Sequence, residues 1–339
     1  MSNFYQSALV LLDCTRIKTN NMKSHLHPVR SICYWLKPRI EFCERESTYE
    51  AKGLCMLLIL FHHIYVKLAF DMGLSIPYVG LILAPGGYLG TGLFFFLSGY
   101  GLYHSLSRQR PLAISYLYTR LIKMLCVYVV AFVLCVFLKW DTIDNFPLID
   151  FLTLTIPGST TWFFKVIIAL YIIAYFIFKV NISNEFKVMI ISVISLVYYV
   201  IAVKYLPDFW YTSILCFPTG MIVALKKNVF TTYTQILSCL LFMVSFRYIQ
   251  RMDMRFVIAI TFCFTVLFLM RYVTLKSKML KYIGTNSLCF YLFQLVLLSP
   301  LMIFQSYPLL YVGGVVVAVT LLSTIYARWV EPQIKTVLK

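Results

Sequence analysis

Lys52, His62 and His63 are the residues of this chain whose types and spacing could do chemistry together. They bracket an apolar run that opens with Gly53 and closes with Phe61, a cation at one end and a histidine pair at the other. On an α-helix each residue advances roughly 100°, so His63 returns to about 20° from the direction of Lys52 while His62 points about 80° away. His63 therefore shares a face with Lys52. At about 1.5 Å per residue the two groups lie roughly 16 Å apart along the axis, about half the hydrocarbon thickness of a bilayer. With Lys52 at one interface, His63 reaches the middle, where an ionisable side chain is costly unless it faces protein or water and marks a functional site by default. Position alone leaves open a plain packing histidine bonded to a neighbouring helix, or a pair near the outer interface.

The elements that must position these groups are membrane helices. Hydrophobic residues make up 61% of the chain, charged residues only 13%, and mean hydropathy is +0.82, which excludes a soluble globular balance. The net charge of +17 sits in short clusters between apolar runs. Such clusters set topology and meet anionic lipid, so the expected partner is the bilayer and not nucleic acid. The ten cysteines fall mostly inside apolar segments, with no C-x-x-C and no Cys/His spacing of a zinc site, so they read as small apolar side chains, with no metal site.

Residues 1–48 differ from the rest: basic and polar residues mix, and no charged n-region followed by a long apolar stretch marks a cleavable signal peptide. They read as a cytoplasmic N-terminal arm, amphipathic at the membrane surface or simply a disordered extension, with Met22 as an alternative start. Residues 49–339 form one membrane domain. Ten apolar segments follow, at about 52–70, 80–105, 116–138, 161–179, 187–205, 209–225, 231–248, 255–272, 283–303 and 309–330. The fold expected is all-α, polytopic, with about ten transmembrane helices and both termini cytoplasmic. Alternate connections test that topology by their charge. Arg108 to Lys123, Lys179 and Lys187, Lys226 and Lys227, Arg271 to Lys281, and Arg328 to Lys339 all fall on the inner side. Arg247, Arg251 and Arg255 break the pattern; a topological or lipid contact is the simpler reading, a luminal anion the other. The polar connection 139–160 is long enough to form part of a substrate entrance.

Four further stretches carry candidate chemistry. The glycines from Gly86 to Gly101 permit close helix approach; without a following Lys-Ser or Lys-Thr they form no phosphate loop, and Phe96 two residues before Ser98 rules out a nucleophile elbow. Arg120 and Lys123 share a helix face and suit either donor phosphates or interfacial anchoring. Trp162-Phe163-Phe164 and Tyr171 read as an aromatic belt. The polar residues from Gly284 to Gln294 read as packing glue or a pore lining.

Together these stretches resemble the acyltransferase family 3 of integral membrane acyltransferases. The family's basic-x10-His motif matches Lys52 and His63, its Phe-Phe-x-x-Ser-Gly-Phe-like helix matches Phe94 to Tyr100, its basic pair matches Arg120 and Lys123, and its late Ser-Leu-x-x-Tyr-Leu-x-His segment matches Ser287 to Gln294. Lys52 stands where arginine is usual, giving a point charge in place of a bidentate fork. Lys123 makes a similar exchange, and Gln294 stands where histidine is frequent.

The resemblance implies a multi-pass enzyme of the cell membrane, inner or plasma, that moves an acyl group, usually acetyl, from cytoplasmic acyl-CoA to a hydroxyl of an extracytoplasmic or lipid-linked glycan. Acetyl-CoA is then a co-substrate and no cofactor stays bound. His63 and Lys52 become the catalytic pair, with His63 a neutral general base. Arg120, Lys123, Ser98 and Gly99 are expected at the donor, and Trp162, Tyr171 and His62 at the substrate. A glycan or lipid transporter and a catalytically inactive relative are the alternatives. No His-x-x-x-x-Asp motif is present, since Lys67 and Leu68 follow where the acids would stand.

Overall fold

The computed structural model describes residues 45–74, 77–108, 113–138, 148–226, 232–247, 254–273 and 275–337. Most of the arm expected at 1–48 lies outside them. The first helix, α1 (Arg45–Val66), takes in the last residues of that arm and continues through a wider π turn, Lys67–Asp71. The chain then forms α2 (Pro77–Leu83), α3 (Gly86–Arg108), α4 (Ile114–Leu138), the short α5 (Leu148–Leu152), α6 (Trp162–Lys179) and α7 (Asn184–Tyr205). It continues with α8 (Cys216–Leu225), α9 (Thr232–Phe246), α10 (Arg255–Tyr272), α11 (Lys278–Thr285), α12 (Ser287–Leu297), α13 (Pro308–Ile325) and α14 (Glu331–Val337). No strand occurs among the described residues; Ile156 and Ser159 make one isolated bridge.

Among the described residues, seven helical stretches are long and apolar enough to cross a membrane, and they coincide with seven of the ten apolar segments. The other three, Cys216–Leu225, Thr234–Phe246 and Ser287–Leu297, are shorter. The molecule is thus an all-helical, multi-pass membrane protein. The segment expected at 283–303 is not one helix: it breaks at Asn286 and again at Ser299, where Pro300 opens a 3₁₀ turn. Proline lacks the N–H that a continuing helix would need.

Glycines decide which helices touch. A Cβ on Gly99 would overlap the Phe217 carbonyl of α8, and one on Gly220 would overlap the Phe96 carbonyl of α3, so these two helices meet backbone to backbone. The same reciprocity joins α1 to α11: a Cβ on Gly53 would strike the Leu280 carbonyl, and one on Gly284 the Tyr49 carbonyl. Residue 53 beside 280 and 49 beside 284 means that α11 runs antiparallel to α1. After the turn at Asn286, α12 starts level with Lys52 and reverses direction. Tyr291 then packs on Phe163 (5.4 Å between rings), which lies against Phe94 (6.1 Å) and Phe95 (4.8 Å), so α12 rises alongside α1.

The described part of the long connection, from residue 148, is tied down. The Tyr128 hydroxyl faces the carbonyls of Asp150, Phe151 and Thr155 at 3.1–3.2 Å, and Lys165 donates to Thr155 (2.7 Å). Residues 139–147 lie outside the described residues.

Candidate active site

The repeat i, i+4, i+7, i+11 on α1 places Lys52, Met56, Ile59 and His63 on one stripe. The first three line a cavity of about 180 Å³. Around it, α3 contributes Phe94 and Ser98, α6 contributes Phe163 and Tyr171, and α12 contributes Ser287 and Tyr291. Five polar side chains from four helices thus converge on one small volume: Lys52, Ser98, Tyr171, Ser287 and Tyr291. Lys52 forms no ion pair or hydrogen bond among the described residues, so its ammonium is available to a ligand.

Arg120 stands behind this cavity. Its guanidinium lies over the Tyr171 ring (5.6 Å) and the Tyr116 ring (4.9 Å) and donates to Ser105 (3.4 Å). It is also close enough to Lys52 for the two cations to sense each other. Lys123 goes elsewhere, to a second cavity of about 170 Å³ with Thr285, Asn286 and Glu331. Met124 and Leu288 line both cavities and form the wall between them. The basic pair that one helix face holds together is therefore divided between two spaces.

Ser98 reaches the cavity, while its neighbour Gly99, the second glycine-helix residue expected at the donor, is committed to the contact with α8. One step along a helix turns a residue by about 100°, enough to exchange a cavity for a helix interface.

The histidine pair is likewise divided by role. His62 Nδ1 lies 2.8 Å from the Leu83 carbonyl oxygen. A carbonyl only accepts, so Nδ1 carries the proton and His62 donates. Leu83 ends α2, and a Cβ on Gly87 would lie 2.5 Å from His62 Nε2, so the ring is wedged into the turn between α2 and α3. His62 clamps that turn. His63 stacks edge-on against it (5.1 Å, 62°) and makes no hydrogen bond among the described residues. Its ring nitrogens are available for a substrate proton.

A second polar layer joins α3 to the segment before α8 and to α10. Ser213 donates to the Tyr88 carbonyl (2.7 Å) and meets Thr91 (3.2 Å). Arg255 pairs with Asp208 and lies 5.8 Å from the Tyr88 ring. The arginine expected to make a lipid or topological contact thus has an acidic partner inside the protein; Arg251 lies outside the described residues. Trp162 does not reach the cavity. It packs with Phe95 (6.2 Å), Phe209 (6.1 Å) and Trp210 (6.4 Å) at the first residue of α6, whereas Tyr171 lies in mid-helix.

Ser287 and Tyr291 were legible only as possible pore lining, and their spacing of four on α12 was the available signal. Met124 carried none, since an apolar side chain on an apolar helix has no distinguishing pattern. Among the described residues no three His, Cys, Asp or Glu side chains come together as metal ligands.

No curated protein and no solved structure matches this chain. The family described as an acyltransferase domain matches residues 51–328, from the residue before Lys52 to the turn that follows α13. That span includes each stretch gathered around the cavity, and the chain belongs to the acyltransferase family 3 of membrane proteins.

Proposed function

We propose that this acyltransferase moves an acetyl group from cytoplasmic acetyl-CoA to a hydroxyl of an extracytoplasmic glycan or its lipid-linked precursor. The observation that carries the reading is the α1 stripe, whose Lys52 end opens into a polar cavity and whose far end presents His63 without a hydrogen-bond partner. The basic connections favour a cytoplasmic Lys52 end by the positive-inside rule. A cavity of about 180 Å³ takes the acetyl thioester and the tip of the pantetheine arm, and is too small for a nucleotide. The nucleotide end would stay towards Lys123 and Asn286, with the arm passing the Met124–Leu288 wall. Lys52 and Arg120 would hold anionic or carbonyl oxygens of the donor.

His63, neutral, takes the proton of the acceptor hydroxyl as its oxygen attacks the thioester carbonyl carbon. The carbon–oxygen bond forms and the carbonyl electrons move to oxygen. Collapse then breaks the carbon–sulfur bond, and the proton held by His63 passes to the departing thiolate. The half-buried Trp162, Phe209 and Trp210 rings, beside the Arg255–Asp208 pair, suit the faces and hydroxyls of a sugar on the outer side.

The test compares wild type, His63→Ala and His62→Ala in the native host, with mass spectrometry of surface glycans. Loss of the acetyl increment in His63→Ala at unchanged protein level, with its retention in His62→Ala, is the expected result. A transporter reading draws on the breaks at Asn286 and Pro300, since interrupted helices surround transport sites. Unaltered acetylation with reduced glycan export in both variants would favour it.

A further inference from the structure

Gln294 is fully buried, and neither its Oε1 nor its Nε2 has a hydrogen-bond partner among the described residues. Its helix neighbours Phe290, Leu292, Phe293 and Val296 are apolar and buried. A primary amide left unpaired in such surroundings costs free energy that a leucine of similar size would not, and the cost is greater where no water competes. An unpaired buried polar group in a native protein calls for an explanation, and a ligand is one.

Its position supplies that ligand. Ser287 and Tyr291 of α12 line the Lys52 cavity, and Gln294 falls about 20° from Ser287 and about 60° from Tyr291 around the helix. It stands one turn past Tyr291. Because α12 rises alongside α1 from the level of Lys52, seven residues carry Gln294 to about the level of Ile59, one turn short of His63. The unpaired amide thus stands on the helix face of α12 that lines the cavity, at the level of its Ile59 end and one turn short of the histidine suited to the acceptor proton.

We infer that Gln294 is a catalytic residue whose Nε2–H donates a hydrogen bond to the carbonyl oxygen of the bound acyl thioester. The inference rests on the acyl-transfer reading. As the acceptor oxygen bonds to the carbonyl carbon, the carbonyl π electrons move to that oxygen, and the Gln294 amide faces the resulting negative charge. When the carbon–sulfur bond breaks, the pair returns and the amide is left on the ester carbonyl. A donor aimed at a developing oxyanion in a water-poor site is commonly worth about 10²–10³ in kcat.

The test uses the full-length protein in detergent micelles with acetyl-CoA as the probe. Infrared difference spectra with carbonyl-labelled acetyl-CoA report the thioester stretch, which a hydrogen bond lowers. The wild type is expected to lower it. Gln294→Leu and Gln294→Met, which keep the volume and remove the donor, are expected to abolish the shift and to reduce kcat about 10²–10³-fold, with acetyl-CoA affinity within about threefold and thermal stability unchanged or raised. An unaltered shift in both variants, or parallel loss of binding and thermal stability in both, would overturn the inference and leave acyl transfer standing. A wild type that neither binds acetyl-CoA nor releases CoA would overturn the acyl-transfer reading and this inference with it.

Discussion

At the Lys52 end of α1, polar side chains from four helices face a common cavity, and the lysine itself has no partner among the described residues. At the other end several polar groups are occupied: His62 on the Leu83 carbonyl, Ser213 on the Tyr88 carbonyl, Arg255 on Asp208. His63 makes no hydrogen bond among the described residues, and the Tyr88 hydroxyl and Arg255 Nε are also unpaired. One end converges on a cavity and the other holds helices in register beside a histidine. A membrane protein has no water to satisfy stray polar groups, so the groups left unsatisfied are the ones that point to a ligand.

Removing the free histidine should have the largest effect. His63→Ala is expected to lower acyl transfer about 10²–10⁴-fold with little change in thermal stability, checked by CoA release from purified protein. A loss below tenfold would erase the distinction between the two histidines.

The Arg255–Asp208 pair should matter next, and through stability. Its side chains are 24% and 27% exposed, so the cost of an unpaired charge is reduced by solvent. Arg255→Met is expected to cost about 2 kcal/mol in chemical or thermal unfolding. Adding Asp208→Asn should recover part of it, because the two effects are coupled. Strict additivity would mean that the pair holds nothing together.

His62→Phe should be smaller still. It leaves the Leu83 carbonyl without its donor and should cost about 1–2 kcal/mol, while acyl transfer per folded molecule stays within a few fold. Lys52→Met is expected to act on donor binding, with a roughly tenfold higher KM for acetyl-CoA, about 1.4 kcal/mol, and kcat little altered. Lys52→Arg should restore or exceed the wild-type affinity, since a guanidinium keeps the charge and adds a second donor in plane. A fall in kcat alone for Lys52→Met would move Lys52 from donor binding to the chemical step.

Much of the fold was legible because hydrocarbon thickness and helical rise are fixed lengths, and apolar runs must match them. The ninth segment is not one continuous span: it breaks at Asn286, inside the polar run Gly284 to Ser287, where the backbone turns so that α11 and α12 both reach α1. Which residues share a helix face was legible, but whether they meet one cavity was not, as Arg120 and Lys123 show. Lys52 and His63 share a face whatever surrounds them, and that periodicity also aligned Ser287 with Tyr291.

By itself, then, the sequence determined the class of solvent, the apolar segments, and the residues that recur on each helix face, since all of these follow from local geometry. Only the tertiary structure decided what each face meets. It set Arg120 behind the Lys52 cavity and Lys123 in a second one, set Ser98 on the cavity and Gly99 on α8, tied His62 to a carbonyl and left His63 without a hydrogen bond among the described residues, and brought Asp208 to Arg255. Those outcomes depend on which helices pack side by side and at what height, and that is settled by glycine contacts such as Gly99 with Phe217 and Gly53 with Leu280, between segments far apart in the chain.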